Sequence, residues 1–207
     1  MAKTVDMNTW ERAGIYDFFS AKDYPFYSVT FPVDVTKVLE YAKKNGLSVY
    51  HVLIWLCTKS AQSIFEFRLR IHDGILVEAE DVSPSFTHMK KGAGTFQIVT
   101  VPYMHDINAF CMNAKKCADS QTDFIDFEAE CEDMIFFSCL PWMDITSLTN
   151  ERDFDKDDLI PRIAWGQFYE ENGKTMVHMN LDINHRTIDG YHLGLFKKAL
   201  DENINEL

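Results

Sequence analysis

Near the C-terminal end of the chain, His185 heads the run His185-Arg186-Thr187-Ile188-Asp189-Gly190, in which an imidazole, a carboxylate and a glycine fall within one short stretch. An imidazole is the side chain best suited to take up and return a proton near neutral pH, and partial burial of such a ring favours its neutral, proton-accepting form. The residues before His185 alternate. Val177, Met179, Leu181 and Ile183 share one parity, and Met176, His178, Asn180, Asp182 and Asn184 share the other, which is a strand pattern. His185 continues the apolar parity and is expected at a buried strand end. Asp189 is expected beyond the turn, where a last helix runs from about Asp189 towards Ile204. A core histidine satisfied by a backbone carbonyl, followed by a helix with Asp189 at its N-cap and Gly190 easing the turn, fits the same residues, so the motif alone permits general-base chemistry without requiring it.

The elements that must position these residues can be read along the chain. Residues 26–35 have strand composition, and residues 36–45 read as a short helix closed by Gly46. Ser48 can cap a long helix whose apolar positions Val49, Val52, Leu53, Leu56, Cys57 and Ile64 lie near helical spacing, so that it packs across a sheet; His51 on it reads as structural. Asp73-Gly74 joins residues 68–72 and 75–79 as a hairpin, and Asn172-Gly173 marks a second one. Residues 95–101 read as strand, 106–116 as helix, and 134–139 as a strand ending at Pro141-Trp142. No repeat, low-complexity tract or linker rich in Pro, Gly or Ser divides the chain. Residues 1–207 therefore read as one α+β domain with a mixed, mainly antiparallel sheet, not a doubly wound nucleotide fold.

Composition narrows the chemistry. The chain has 207 residues and 46% hydrophobic content, enough for one substantial core. Against 20 basic residues stand 32 acidic ones, a net charge of −12, which argues against nucleic acid or an anionic membrane as the main partner. Much of the acidity sits at residues 123–133 and 151–158, which read as solvated faces. Five cysteines without a CxxC pair suggest reduced thiols in a cytoplasm, and no apolar leader or membrane span is apparent. No phosphate loop, dinucleotide glycine fingerprint, HExxH or GxSxG occurs. His185, Asp189 and His192 have metal-ligating side chains, but their spacing straddles a turn and no second cluster supports them, so no metal is expected.

Taken with residues elsewhere, the run resembles the chloramphenicol acetyltransferases, within the CoA-dependent acyltransferases that carry a His-xxx-Asp-Gly motif. The resemblance covers nearly the whole chain. It includes Trp10-Glu11-Arg12, residues 48–64, Pro84-Ser85-Phe86-Thr87, Thr95-Phe96, Pro102-Tyr103, Leu140-Pro141-Trp142 through Ser147-Leu148, and Asp189-Gly190-Tyr191-His192. It implies a two-layer sandwich of helices on a sheet and an O-acetyltransferase that uses acetyl-CoA and a small-molecule acceptor. It implies His185 as general base, Ser147 as hydrogen-bond donor to the oxyanion, and Arg12 pairing with Asp189 to support the turn. Phe19, Tyr27 and Phe96 align with acceptor-pocket positions, and Phe168 with an aromatic wall for CoA. A homotrimer with active sites at subunit interfaces is implied as well. Phe19, Pro25, Ala164 and Asn184 stand where the family often carries tyrosine, cysteine, threonine and a second histidine. A pocket with fewer hydrogen-bonding groups discriminates less between polar acceptors. A same-fold acyltransferase for a different hydroxyl or amine, and a non-catalytic trimer binding an apolar ligand, remain alternatives. The acyltransferase core of 2-oxo acid dehydrogenase complexes shares the motif, but no lipoyl module or flexible linker accompanies it here.

Overall fold

Short polar side chains and one glycine set the helix ends on which the fold is built. Ser48 accepts from the His51 N–H, Asp106 accepts from the Ala109 N–H at 2.7 Å, and Gly46 closes a helix with φ 66°, a left-handed value that a Cβ disfavours. The computed structural model describes residues 2–207. In chain order the elements are β1 (Lys3–Thr4), α1 (Ala13–Ser20), β2 (Phe26–Asp34), α2 (Thr36–Asn45), α3 (Val49–Gln62), β3 (Leu69–His72) and β4 (Ile75–Glu78). There follow β5 (Ser83–His88), β6 (Gln97–Thr100), α4 (Ile107–Ser120), β7 (Met134–Cys139), β8 (Arg162–Trp165), β9 (Tyr169–Glu171), β10 (Lys174–Asn184) and α5 (Gly190–Asn205).

The main sheet runs β2-β10-β8-β7-β5-β6, with β9 paired to β10 off this path. β5–β7 and β7–β8 pair in parallel, and the other neighbours are antiparallel, so the sheet is mixed and mainly antiparallel as expected. β1, β4 and β3 form a separate antiparallel sheet. Both expected hairpin turns are present, with Asp73 and Asn172 at φ 51° and 52°, each followed by a glycine at 76°. Val177, Met179, Leu181 and Ile183 are fully buried, in one cluster with Leu53 and Leu56 of α3, Phe110 of α4 and Phe196 of α5. The helices therefore cover the apolar face that the alternation marks. No helix among the described residues is long and apolar enough to cross a membrane.

Element boundaries depart from the sequence reading, and one face carries a feature that alternation alone does not specify. The strand expected at 95–101 is confined to Gln97–Thr100, and the helix expected at 106–116 runs on to Ser120. β5 is not legible in the sequence, because Ser83-Pro84-Ser85 has poor strand composition. More consequential, the polar parity of β10 is not solvated: Asn180, Asp182 and Asn184 are buried too. The chain from Asp144 to Asp158 lies over that face and bonds to it rung by rung. Asn180 Nδ2 donates to the Leu148 carbonyl (3.1 Å), Asp182 accepts from the Asn150 N–H (3.1 Å), and Asn184 Nδ2 donates to the Lys156 carbonyl (2.9 Å). An irregular segment laid on a sheet brings unsatisfied backbone groups, and short polar side chains on the strand are what can satisfy them.

Candidate active site

His185 follows the last residue of β10 and is half-buried, one step past the strand rather than inside it. Its backbone N–H donates to the Pro25 carbonyl (2.7 Å), tying it to the start of β2. The imidazole stacks on Phe19 of α1, with ring centroids 4.0 Å apart at 21°, and meets Tyr27 of β2 at 4.6 Å. Nδ1 lies 3.1 Å from the Ile188 carbonyl. Since a carbonyl can only accept, that contact places the ring hydrogen on Nδ1. Nε2 is thereby left as a lone-pair acceptor, and it has no hydrogen-bond partner among the described residues. Burial, with a smaller contribution from Asp189, pushes the Tyr27 phenol up to about 12, so its hydroxyl stays protonated beside the imidazole.

Asp189 does not touch His185. It caps α5, accepting from the Tyr191 N–H (2.9 Å) and the His192 N–H (3.4 Å), while its other oxygen takes a hydrogen bond from Arg12 Nη1 at 2.7 Å. The pair expected from the resemblance is therefore formed, and it fixes the N-terminal segment to the turn that carries His185. Burial on its own would raise the Asp189 carboxyl. The hydrogen bond from Arg12 and the neighbouring charges of His192 and Arg12 outweigh it and hold the carboxyl below the usual range.

A depressed carboxyl contributes stability that is present above its unfolded value and lost as pH falls through the folded one. Arg12→Ala should cost about 1.5–3 kcal/mol at neutral pH. Urea unfolding across pH should show that gap in full above about pH 4 and shrinking below it. A gap constant down to pH 2 would remove the ion pair as its source.

The other expected residues are not gathered around His185 within the chain. Ser147 is exposed on the segment between β7 and β8, and its neighbour Leu148 is bonded to Asn180. Asn180 and His185 are separated along β10 by about 16 Å at roughly 3.3 Å per residue. Phe19 and Tyr27 flank the imidazole, but Phe96 precedes β6 at the opposite edge of the sheet, against Phe124 (5.6 Å). Five strand spacings make that separation about 24 Å. The grouping of Phe19, Tyr27 and Phe96 in one pocket is thus not met inside one chain. Phe96 and Phe168 instead line an open cleft of about 1700 Å³ together with Phe86, Phe136 and Trp142. No cluster of three or more potential metal-ligating side chains occurs among the described residues.

Two supporting residues have no signal in the sequence. Gly166 lies beneath the Ser147 segment: a Cβ there would sit 2.8 Å from the Met143 carbonyl oxygen and 2.9 Å from the Ile145 nitrogen. A glycine following a short strand is unremarkable until the chain crossing it is known. Arg186, buried next to His185, donates to Ser20 Oγ (2.8 Å), the Lys156 carbonyl (2.6 Å) and Asp157 (2.7 Å), with its guanidinium 4.3 Å from the Tyr16 ring centroid. It ties α1, and so Phe19, to the strand end that carries the imidazole.

The chloramphenicol acetyltransferase family model matches residues 1–201. A chloramphenicol acetyltransferase of Proteus mirabilis is 26% identical over 204 residues, covering 98% of this chain and 94% of its own length. A solved chloramphenicol acetyltransferase structure superposes with a TM-score of 0.90 at 26% identity, over 99% of this chain and all of that one. The dihydrolipoamide acetyltransferase of Azotobacter vinelandii shares the fold, with a TM-score of 0.70 at 15% identity over 93% of this chain and 86% of that one.

Proposed function

The chain belongs to the chloramphenicol acetyltransferase family, and from that membership we propose that it moves the acetyl group of acetyl-CoA to a hydroxyl of chloramphenicol or a similar small acceptor, as a cytoplasmic homotrimer. His185 Nε2 takes the proton from the acceptor hydroxyl as the oxygen attacks the thioester carbonyl. The tetrahedral oxyanion receives a hydrogen bond from the Ser147 hydroxyl. When the intermediate collapses the C–S bond breaks, and the imidazolium returns its proton to the CoA thiolate, so that no acyl-enzyme forms. Phe168 offers an aromatic surface to CoA, and Phe19, Tyr27 and Phe96 an apolar one to the acceptor.

The observation that carries this reading is the Nδ1 contact to the Ile188 carbonyl, which leaves Nε2 as the proton acceptor in a ring held between Phe19 and Tyr27. The separation of Ser147 and Phe96 from His185 supports an interfacial site, in which the imidazole of one protomer works with the serine and the cleft of another. A second reading, transfer to a less polar hydroxyl or an amine, is favoured by the Phe19 ring that stacks directly on His185 without a hydroxyl to offer.

The test is release of CoA thiol from acetyl-CoA, with chloramphenicol and with no acceptor, on protein whose mass in solution has been measured. Chloramphenicol-dependent release from a trimer is expected. No release from a folded trimer would remove chloramphenicol as acceptor, and failure with every hydroxyl or amine tried would leave only a binding role.

A further inference from the structure

Residues 140–161, between β7 and β8, contain neither helix nor strand, yet they carry Ser147. A donor to an oxyanion is effective only when it is already in place, with its partner 2.7–3.1 Å away. What holds the irregular backbone ahead of Ser147 is therefore part of the chemistry. On the far side of the serine, Asn180 donates to the Leu148 carbonyl and, through the same nitrogen, to Thr30 Oγ1 (2.9 Å). On the near side, one side-chain hydrogen bond reaches residues 141–147 among the described residues: His178 Nδ1 to Asp144 Oδ1, at 2.8 Å.

His178 is itself locked. Its ring stacks on Tyr169 of β9 with centroids 4.9 Å apart at 24°, and Nε2 lies 3.3 Å from the Tyr169 hydroxyl. Tyr169, His178 and Asp144 thus form a chain from β9 across β10 to the segment three residues before Ser147. An ionised carboxylate can only accept, so Nδ1 donates, and a hydrogen bond to a charged acceptor is shorter and stronger than a neutral one.

We infer that His178 is a positioning residue for Ser147: it pins Asp144 to β10, as Asn180 pins Leu148, and so sets where the serine hydroxyl points. The inference rests on the reading of Ser147 as oxyanion donor. His178 reaches the reaction only through the segment it holds.

The test compares wild type, His178→Ala, His178→Asn and Ser147→Ala with the double variant His178→Ala/Ser147→Ala, by CoA thiol release and by hydrogen exchange of peptides covering residues 141–150. His178→Ala should lower kcat by about 10- to 100-fold, the size of loss expected from misplacing a donor by a fraction of an ångström to an ångström. KM for the acceptor should stay near the wild-type value. His178→Asn, whose amide nitrogen falls where Nδ1 lies, should restore most of kcat and of the protection against exchange. In the Ser147→Ala background, His178→Ala should cost nothing further in kcat. An equal loss in both backgrounds, or unchanged exchange over residues 141–150 in a folded His178→Ala protein, would overturn the inference. Should Ser147→Ala itself leave kcat intact, the oxyanion reading fails separately. Exchange then decides alone whether His178 holds the segment: faster in the alanine variant and restored by asparagine supports it, and no change refutes it.

Discussion

Substitution of His185 by alanine is expected to lower kcat for acetyl transfer by about 10²–10⁴-fold, the usual contribution of a positioned general base. The protein should remain folded and keep its assembly state. The expectation follows from the local geometry. Nδ1 is committed to the Ile188 carbonyl, Phe19 and Tyr27 fix the plane of the ring, and Nε2 is the atom left to accept a proton. The imidazole is half-buried and contributes little to the main core, so the loss should appear in turnover rather than stability. Steady-state CoA thiol release with saturating acetyl-CoA, alongside the unfolding midpoint, separates the two. Full activity in His185→Ala would assign the histidine to packing and move the search for a base elsewhere.

A second large effect is expected at a residue that never meets substrate. In Gly166→Ala the new methyl would have to share space with two backbone atoms of the crossing segment, at 2.8 and 2.9 Å, and neither can yield as a flexible side chain does. Residues 143–145 must lift, and with them the Gln167 N–H bond to the Met143 carbonyl (2.8 Å) and the buried Ile145. Overpacking of this kind costs about 1–3 kcal/mol. Because the displaced stretch leads directly into Ser147, kcat should fall about 10²-fold, approaching the loss of about 10²–10³-fold expected from Ser147→Ala. A crystal structure of the variant together with its kcat provides the check. A Gly166→Ala protein that turns over like the wild type would show that Ser147 either stays in place or is not needed.

Residues within a few positions of one another were largely legible without coordinates. The alternation of β10 marked the strand and its core face, because side chains repeat every second residue on a pleated chain whatever packs on it. Asp73-Gly74 and Asn172-Gly173 announced their hairpins, because few residue pairs tolerate positive φ at low cost. Gly46, Ser48 and Asp189 ended or began helices at the expected places, because a cap bonds to backbone groups within about one helical turn of itself. The family pattern added Arg12 with Asp189, a pair 177 residues apart that local rules cannot see.

Contacts between distant segments were decided only by the tertiary structure. Alternation says which residues of β10 share a face but not what covers the second face, which carries His178, Asn180, Asp182 and Asn184 and is bonded to the chain from Asp144 to Asp158. Gly166 and Arg186 carry no local signature, since a glycine's need for space and an arginine's choice of partners are properties of whatever crosses them. Phe19, Tyr27 and Phe96 were grouped by similarity, yet the order of strands puts Phe96 at the far edge of the sheet. By itself the sequence determined the periodic and turn-bound features of this protein, because those interactions close within a few residues. The environment of His185, the support beneath Ser147 and the distance between them depend on how the chain returns upon itself, and that is settled by the packing of the whole core.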